Sequence, residues 1–184
     1  MTESDSKSPI IRLKEVDFAW HAQANLTIKS GNFSIEEHEH VFIRGASGSG
    51  KSTLLNIIGG IVRPQRGQVE IVGQDFCQLK ELQRDRLRAD HIGFIFQQFN
   101  LIPYLSILEN VTLPCRFSKL RRDNAIERSG SVNEEAIYLL SRLYAKGQFS
   151  FQRTTSELSV GQQQRVAAAR ALIGQPQLII ADEP

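Results

Sequence analysis

The sequence contains few cysteines, no long apolar run and almost no net charge. Its two cysteines, Cys77 and Cys115, cannot form a disulfide framework and have no companion at metal-ligand spacing, which favours a reducing, cytoplasmic compartment. No segment approaches the roughly 18 uninterrupted apolar residues that span a membrane, and the polar residues 1–9 lack the apolar core of a signal peptide. The net charge of +2 is too small for a dedicated nucleic-acid-binding protein. We therefore expect a protein that is soluble by itself, with no direct membrane insertion and no nucleic-acid partner.

The composition is nevertheless that of a globular domain. A length of 184 residues is typical of one domain. Hydrophobic residues make up 41 % and charged residues 23 % of the chain, which excludes disorder of the highly charged, apolar-poor kind. The chain can bury a core, so the function has to be sought in its motifs.

Segments with the period of strands alternate with segments that have the period of helices. We predict strands over residues 10–18, 26–28, 33–35, 41–43, 68–72, 92–96 and 178–181. We predict helices over residues 51–62, 79–89, 107–113, 134–145 and 161–173, with Ile137, Leu140 and Tyr144 on one face of the fourth. The early strands are short and antiparallel, whereas strands bracketed by crossover helices imply a parallel core. This order predicts an α/β fold.

A glycine-rich segment follows the fourth predicted strand. It fits the pattern G-x-x-x-x-G-K-[ST], known as Walker A, and comprises Gly45, Ala46, Ser47, Gly48, Ser49, Gly50, Lys51 and Ser52. The glycines let successive N–H groups turn inward to cradle phosphates, the lysine reaches the β and γ oxygens, and the serine hydroxyl is offered to Mg²⁺. Because a strand precedes this loop and a helix follows it, the pattern predicts phosphate binding.

The last predicted strand resembles a Walker B segment. It is apolar and ends in Asp182 and Glu183. A carboxylate at the end of such a strand can hold the Mg²⁺ of a bound nucleotide, and the next one can orient or deprotonate the attacking water. Together with Walker A, this segment predicts nucleotide hydrolysis.

Leu158–Arg165, with the sequence LSVGQQQR, resembles the LSGGQ signature of the ATP-binding-cassette (ABC) ATPases. At a helix start, Ser159 and Gly161 would present N–H groups to the γ-phosphate of a nucleotide held by a second subunit. Val160 departs from the signature at its first glycine. Because a β-branched residue resists positive φ, we expect looser phosphate contacts there.

The resemblance to ABC ATPases extends from Ile10 to Pro184. It implies a P-loop NTPase of the ABC ATPase fold, with an antiparallel β subdomain, a parallel-strand core and an inserted helical subdomain, incomplete at the C-terminus. Residues 1–9 would be a flexible tail and residues 10–184 the ATP-binding domain. Within that domain, residues 10–96 and 157–184 would form the catalytic core and about 98–156 the helical subdomain.

The resemblance also implies ATP and Mg²⁺ as cofactors and gives roles to the site residues. Glu183, Lys51 and Gln97, the last in the family's Q-loop, would be catalytic. Ser52, Gln97 and Asp182 would hold the metal. Besides the Walker A residues, the implied nucleotide-binding residues are Trp20, which would stack on adenine, Thr53, Ser159, Gly161 and Gln162.

The segment Gln97–Val111 is similar to that of the macrolide-exporter and lipoprotein-releasing branch of the family. In that branch the segment packs against a coupling helix of the membrane permease. The resemblance implies the ATPase subunit of an envelope or export transporter, powered by ATP-driven closure of a head-to-tail dimer. Its implied place is cytoplasmic, peripheral on the cytoplasmic face of the inner or plasma membrane.

The chain ends at Pro184, directly after the Walker B segment. ABC ATPases ordinarily continue with a D-loop and a strand bearing a switch histidine. The four histidines of this chain, His21, His38, His40 and His91, all precede Walker B. The sequence therefore resembles a cassette truncated at its C-terminus. For such a chain we expect poor stability, because the edge of a core strand is uncovered, and weak turnover.

Two alternatives stay open. The chain could be a nucleotide-binding fragment without turnover, or a non-transport ABC ATPase of chromosome maintenance or translation. Chromosome-type members carry a long coiled coil where this chain has only residues 98–157, and translation-type members carry two cassettes in one chain.

Two further charged patterns are interpreted as ordinary surface. Residues 116–128 carry five basic side chains, which is typical of a solvated helix face rather than of a lipid or nucleic-acid patch. His38 and His40 alternate with acidic residues, and we interpret them as exposed side chains rather than metal ligands.

Overall fold

The structure, a computed structural model, describes residues 9–21, 27–144 and 151–183. It contains two compact units, Met1–Arg84 and Asp85–Pro184. Most of the predicted tail, Leu26 of the second predicted strand, Ala145 of the fourth predicted helix and Pro184 lie outside the described residues. Within the described residues, no helix is long and apolar enough to cross a membrane.

An antiparallel sheet dominates the first unit. Its strands are β1 (Ile11–Phe18), β2 (Ile28–Ser30), β3 (Phe33–Ile35), β4 (Arg66–Ile71) and β5 (Gln74–Asp75), and helix α1 (Lys51–Ile58) belongs to the same unit. β1 pairs with β2, β3 and β4, and β4 pairs with β5. Alternate residues of β1 and β4, including Ile11, Leu13, Val69 and Ile71, are fully buried and form the core of this unit. The predicted antiparallel strands are confirmed, with the second displaced towards residue 30.

The strand predicted over residues 41–43 is wrong. No strand of the described residues pairs with this segment, and the side chain of Phe42 is 80 % exposed, with the Arg44 guanidinium 5.3 Å from its ring. An apolar run forms a buried strand only where a neighbouring strand supplies hydrogen-bond partners for its backbone. The segment is therefore irregular where it enters the glycine-rich loop.

The second unit combines helices with a parallel strand pair. After α2 (Glu81–His91), which spans the boundary between the units, come β6 (Ile92–Ile95), α3 (Ile107–Thr112), α4 (Pro114–Phe117), α5 (Lys119–Ser129), α6 (Val132–Leu143), α7 (Val160–Leu172) and β7 (Leu178–Ala181). β6 and β7 lie parallel, with Ile92 opposite Leu178 and Ile95 opposite Ala181. This confirms the predicted parallel core strands. Buried apolar residues of α3, α5, α6 and α7 form one hydrophobic core.

Serine side chains begin four helices of the second unit. Each accepts a hydrogen bond from the backbone N–H three residues further on, and the four are Ser106, Ser118, Ser131 and Ser159. At Ser106 and Ser159 the third residue returns the bond with its own side chain, which completes a capping box. Each cap contributes about 1 kcal/mol to helix stability, so the sequence fixes these helix starts locally.

The face predicted for the fourth helix is only partly buried. Leu140 of α6 is fully buried and Tyr144, just after the helix, is half-buried, but Ile137 is 38 % exposed. The core also takes Ala136 and Leu139, each one position before a residue of the predicted face. A helix can be rotated slightly without changing its apolar period, so the pattern did not determine which neighbours face inward.

Arg121 of α5 corrects the prediction of a wholly solvated basic face. Its side chain is buried, and its guanidinium donates to the carbonyls of Ile173 at 2.8 Å, Ala171 at 2.8 Å, Arg170 at 3.2 Å and Ile92 at 3.4 Å. The acceptors at the end of α7 are carbonyls that have no partner inside their own helix. Arg121 therefore joins α5 to the end of α7 and to the start of β6.

Replacing Gly93 of β6 by alanine is expected to lower the free energy of unfolding by about 2 to 3 kcal/mol, because overpacked cores cost that much. A Cβ atom at this position would lie 2.2 Å from the Ala171 carbonyl oxygen and 2.7 Å from Cδ1 of Ile179. Urea denaturation measures the change. Gly31→Ala is the control, since a Cβ there meets nothing within 4 Å. A G93A chain as stable as the G31A chain would show that α7 and β6 do not pack this closely.

Candidate functional site

The glycine-rich loop ends at an uncapped helix start. Gly50 is the N-cap of α1, so no side chain caps the free N–H groups of this helix. The first turn contains no acidic residue. The first N–H groups of a helix have no partner within it, and the helix dipole adds positive charge there. Gly48 and Gly50 have φ of 75° and 91°, a conformation that glycine adopts without strain. This end of α1 can therefore receive an anion.

Lys51 folds back over the same loop. Its Nζ donates to the carbonyls of Gly45 and Ala46, each at 3.0 Å. Of its two neighbours, Ser52 is exposed and Thr53 is buried. The ammonium group is thus held against the loop by two of the loop's own carbonyls. The structure places Ala46, Ser47 and Ser49 in the exposed part of this loop.

Gln97 and Glu183 meet at the carboxyl ends of the two parallel strands. β6 leads to Gln97 and β7 leads to Asp182, whose N–H donates to the Ile95 carbonyl at 3.0 Å and so extends the pairing. The Gln97 amide Nε2 donates to Oε2 of Glu183 at 2.8 Å. Both side chains are exposed, so the carboxylate is oriented by the amide and stays open to water.

The signature segment begins α7. Ser159 is the N-cap, its hydroxyl accepts from the Gln162 N–H, and the Gln162 side chain accepts from the Ser159 N–H at 2.8 Å. Val160 is the first helical residue and is 71 % exposed; it is not among the positive-φ residues. Because helical φ suits valine, the expected strain at this position is absent. Gly161 follows it in the first turn.

Two side chains that the sequence analysis missed support this helix. The Tyr144 hydroxyl donates to the Gln162 carbonyl at 2.7 Å, the guanidinium of Arg165 lies 5.1 Å from the Tyr144 ring centre, and burial raises the pKa of Tyr144 to about 12. Arg170, in the last turn of α7, donates to the carbonyl of Asn100 at 2.6 Å and to that of Phe99. Neither contact has a local sequence signal, because each joins segments far apart in the chain.

Trp20 follows β1 in the first unit. Its indole is 55 % exposed and packs edge to face on Phe18, with ring centres 5.1 Å apart and an angle of 85° between the planes. A supported, exposed aromatic ring can stack on a flat ligand. Its role towards adenine stays a prediction.

The donor set suits a hard divalent cation. The described residues contain no group of three or more histidine, cysteine or acidic side chains that could hold a metal ion. Mg²⁺ typically takes only one or two protein carboxylates and completes its shell with substrate phosphates and water. In the second unit, the carboxylate of Asp182 and the amide oxygen of Gln97 are such donors. In the first unit, the hydroxyl of Ser52 is a donor of the same kind, and its role towards a metal stays a prediction. Since Nε2 of Gln97 is bonded to Glu183, its oxygen is the atom left for a cation.

Residues 28–184 match the family model described as ABC transporter. The chain is 42 % identical over 177 residues to an uncharacterised ABC transporter ATP-binding protein of Methanocaldococcus jannaschii, MJ0796, covering 95 % of this chain and 73 % of that protein. It is 42 % identical to a lipoprotein-releasing system ATP-binding protein of Hydrogenovibrio crunogenus, covering 85 % of this chain and 64 % of the relative. It is 44 % identical to a macrolide export ATP-binding/permease protein of Escherichia coli, covering 88 % and 24 %.

A solved structure gives the same result for the fold. The dimeric structure of a post-hydrolysis state of the ATP-binding cassette MJ0796, bound to ADP and Pi, matches with a TM-score of 0.78 and 40 % identity, over 94 % of this chain and 73 % of that one. The predicted ABC ATPase fold is thereby confirmed. With its loop, its strand-end carboxylates and its signature helix, the chain belongs to the family of ABC transporter ATP-binding proteins.

Proposed function

We propose that this chain is the ATP-binding and ATP-hydrolysing subunit of an ABC transporter. The observation that supports this most directly is the 2.8 Å hydrogen bond from Gln97 to Glu183, because it orients a carboxylate at the end of a parallel strand. The uncapped start of α1 and the Lys51 ammonium supply the phosphate site. Since the chain spans 73 %, 64 % and 24 % of three relatives, the activity of the whole protein is part of the proposal.

Each residue then has a chemical task. The N–H groups at the start of α1 bind the phosphates of ATP, and Lys51 exchanges its two loop carbonyls for phosphate oxygens, where a charge-assisted bond is stronger. Gln97 holds Oε2 of Glu183, so Oε1 is the oxygen that takes the proton from the attacking water. Ser52, Asp182 and Gln97 would hold Mg²⁺, which would supply positive charge to neutralise the transferred phosphoryl group.

The signature residues would act on a second subunit. Ser159 is exposed at the start of α7, where a helix N-terminus can meet a γ-phosphate. The MJ0796 cassette that matches this chain forms a dimer. We therefore propose a head-to-tail dimer in which each ATP lies between Lys51 of one chain and Ser159 and Gly161 of the other, with Gln162 and Thr53 assisting.

We further propose an export or envelope transporter, with the permease bound through residues Gln97–Val111. The names of the lipoprotein-releasing and macrolide-export relatives support this branch. The chain would then be peripheral, on the cytoplasmic face of the membrane. The assignment of residues about 98–156 to a helical subdomain, and of residues 10–96 and 157–184 to the catalytic core, belongs to the same proposal.

ATP binding and magnesium-dependent phosphate release, measured side by side on the purified chain, test the proposal. Binding together with release supports an ATPase subunit. Binding without release supports the alternative of a nucleotide-binding fragment, and the absence of both contradicts the proposed site.

Lys51→Ala is expected to weaken ATP binding about 10- to 100-fold, because a hydrogen bond to a charged group contributes about 1.5 to 3 kcal/mol. Isothermal titration with ATP measures the dissociation constant. Lys80→Ala, which removes an exposed lysine from the same unit, should leave it unchanged. Equal affinities for the two variants would place the phosphate site elsewhere.

A further inference from the structure

Arg170 is the basic residue in the last turn of α7, but the hydrogen bonds of its side chain go to a different segment of the chain. Its two terminal nitrogens donate to consecutive backbone carbonyls, Nη1 to Asn100 at 2.6 Å and Nη2 to Phe99. Phe99 and Asn100 follow the Q-loop glutamine, Gln97, by two and three positions. The guanidinium therefore joins the signature helix to the segment Phe96–Asn100, here called the Q-loop turn.

The Q-loop turn has an unfavourable backbone conformation. Phe99 and Asn100 have φ of 57° and 48°, which L-residues other than glycine rarely adopt and which is most costly for a bulky residue such as phenylalanine. Within the turn, the Phe99 N–H donates to the Phe96 carbonyl at 2.9 Å and the Asn100 N–H to the Gln98 carbonyl at 2.6 Å. Such strain persists only where surrounding contacts hold it, and the fork of Arg170 is bonded at both strained residues.

The charge of Arg170 has an unusual environment. Burial lowers its pKa, and no ion pair joins it to a carboxylate anywhere in the part of the chain that the structure describes. A partly buried cation is costly unless polar groups compensate it. Here the compensation comes from the two carbonyls of the turn, so the arginine and the turn stabilise each other.

We propose that Arg170 is a positioning residue for hydrolysis: it holds the Q-loop turn so that Gln97 reaches Glu183, and it ties this turn to the helix that begins at Ser159. The proposal rests on the proposed function, because Gln97 orients the carboxylate that accepts the proton. When the fork is lost, the turn relaxes out of positive φ and the amide of Gln97 leaves its 2.8 Å contact. Catalysis is then lowered more than nucleotide binding, since the phosphate loop belongs to the other unit.

The first test compares Arg170→Met with Arg142→Met, which removes an exposed arginine of α6 in the same unit. For R170M we expect about tenfold lower kcat for ATP hydrolysis with KM unchanged, because small misplacements of catalytic groups cost this much or more. Hydrogen exchange of the amides in residues 97–101 should become about fivefold faster, while R142M changes neither quantity. R170M with wild-type exchange and kcat would overturn the proposal.

A second test separates positioning from general stabilisation. In the R170M chain, Phe99→Gly should restore about half of the lost kcat on a logarithmic scale, because glycine adopts positive φ without strain. Phe99→Ala removes the same ring without adding this freedom and should restore nothing. Equal effects of the two replacements would contradict the proposal. If R170M does not fold, Arg170→Lys keeps the charge without the fork, and wild-type kcat and exchange in that variant would likewise contradict it.

The exchange measurement keeps the two proposals apart. A wild-type chain that binds ATP without releasing phosphate would refute hydrolysis by this chain, and exchange over residues 97–101 would still show whether Arg170 holds the turn. A wild-type chain that hydrolyses ATP, with R170M unaltered, would refute the role of Arg170 alone.

Discussion

Glu183→Gln is expected to lower kcat for ATP hydrolysis about 100-fold or more, because a positioned general base contributes at least that factor and an amide cannot take the proton from water. The replacement has the same shape, and its amide oxygen can still accept the bond that Gln97 donates to Oε2. ATP affinity should therefore be unchanged. Phosphate release and ATP titration on the same preparation measure both quantities.

The E183Q chain also tests the proposed dimer. Without hydrolysis the ATP-bound state should accumulate, so sedimentation should detect a dimer with ATP and a monomer without it. Glu127→Gln, at an exposed position of α5, is the matched control and should keep wild-type kcat. A kcat within threefold of wild type would exclude Glu183 as the base, and the absence of an ATP-dependent dimer would count heavily against the transporter function.

Arg121→Met is expected to lower the free energy of unfolding by about 3 to 5 kcal/mol, because several buried carbonyls lose a charged donor and each acceptor left unsatisfied costs about 1 to 3 kcal/mol. Four carbonyls lose the guanidinium as a hydrogen-bond donor, and three of these carbonyls lie at or directly after the end of α7. Burial lowers the pKa of Arg121 to about 10, so the group is still charged at neutral pH. Urea denaturation at pH 7 measures the change.

The neighbouring Arg122 supplies the control for this prediction. Its side chain is 47 % exposed and pairs with Asp123, itself 49 % exposed, at 3.8 Å. An exposed ion pair of this kind contributes about 0 to 1 kcal/mol, so Arg122→Met should be nearly neutral. Equal destabilisation by R121M and R122M would mean that the carbonyls of α7 do not depend on Arg121.

The parts of the site that lie within short motifs could be predicted from the sequence. Gly48 and Gly50 adopt the positive φ that the loop pattern requires, and Ser159 caps the helix that the signature predicts. These features depend on residues at most a few positions apart, so local geometry is sufficient to form them. The prediction of a strand over residues 41–43 failed because a strand needs a neighbouring strand as hydrogen-bond partner, and no local pattern shows whether one is present.

The contacts that hold the site together were not predictable in this way. Arg121 and Arg170 look like ordinary surface cations in a helical pattern. Yet Arg121 donates to a carbonyl 52 positions away in the chain, and Arg170 donates to one 70 positions away. A long cationic side chain has the same sequence signature whether water or a backbone carbonyl accepts its hydrogen bonds. Only the packing of α5, α7 and the Q-loop turn selects between the two.

The sequence alone predicted the residues to which we assign the chemistry: the glycine-rich loop with Lys51, the carboxylates Asp182 and Glu183, and the capped signature helix. It could do so because each of these needs particular residue types at fixed local spacing. Only the tertiary structure decided which side chains meet. The bond between Gln97 and Glu183, 86 positions apart, exists because β6 and β7 pair in parallel and bring their carboxyl ends to one edge. The fork of Arg170 exists because α7 packs against β6, a long-range arrangement that no local pattern specifies.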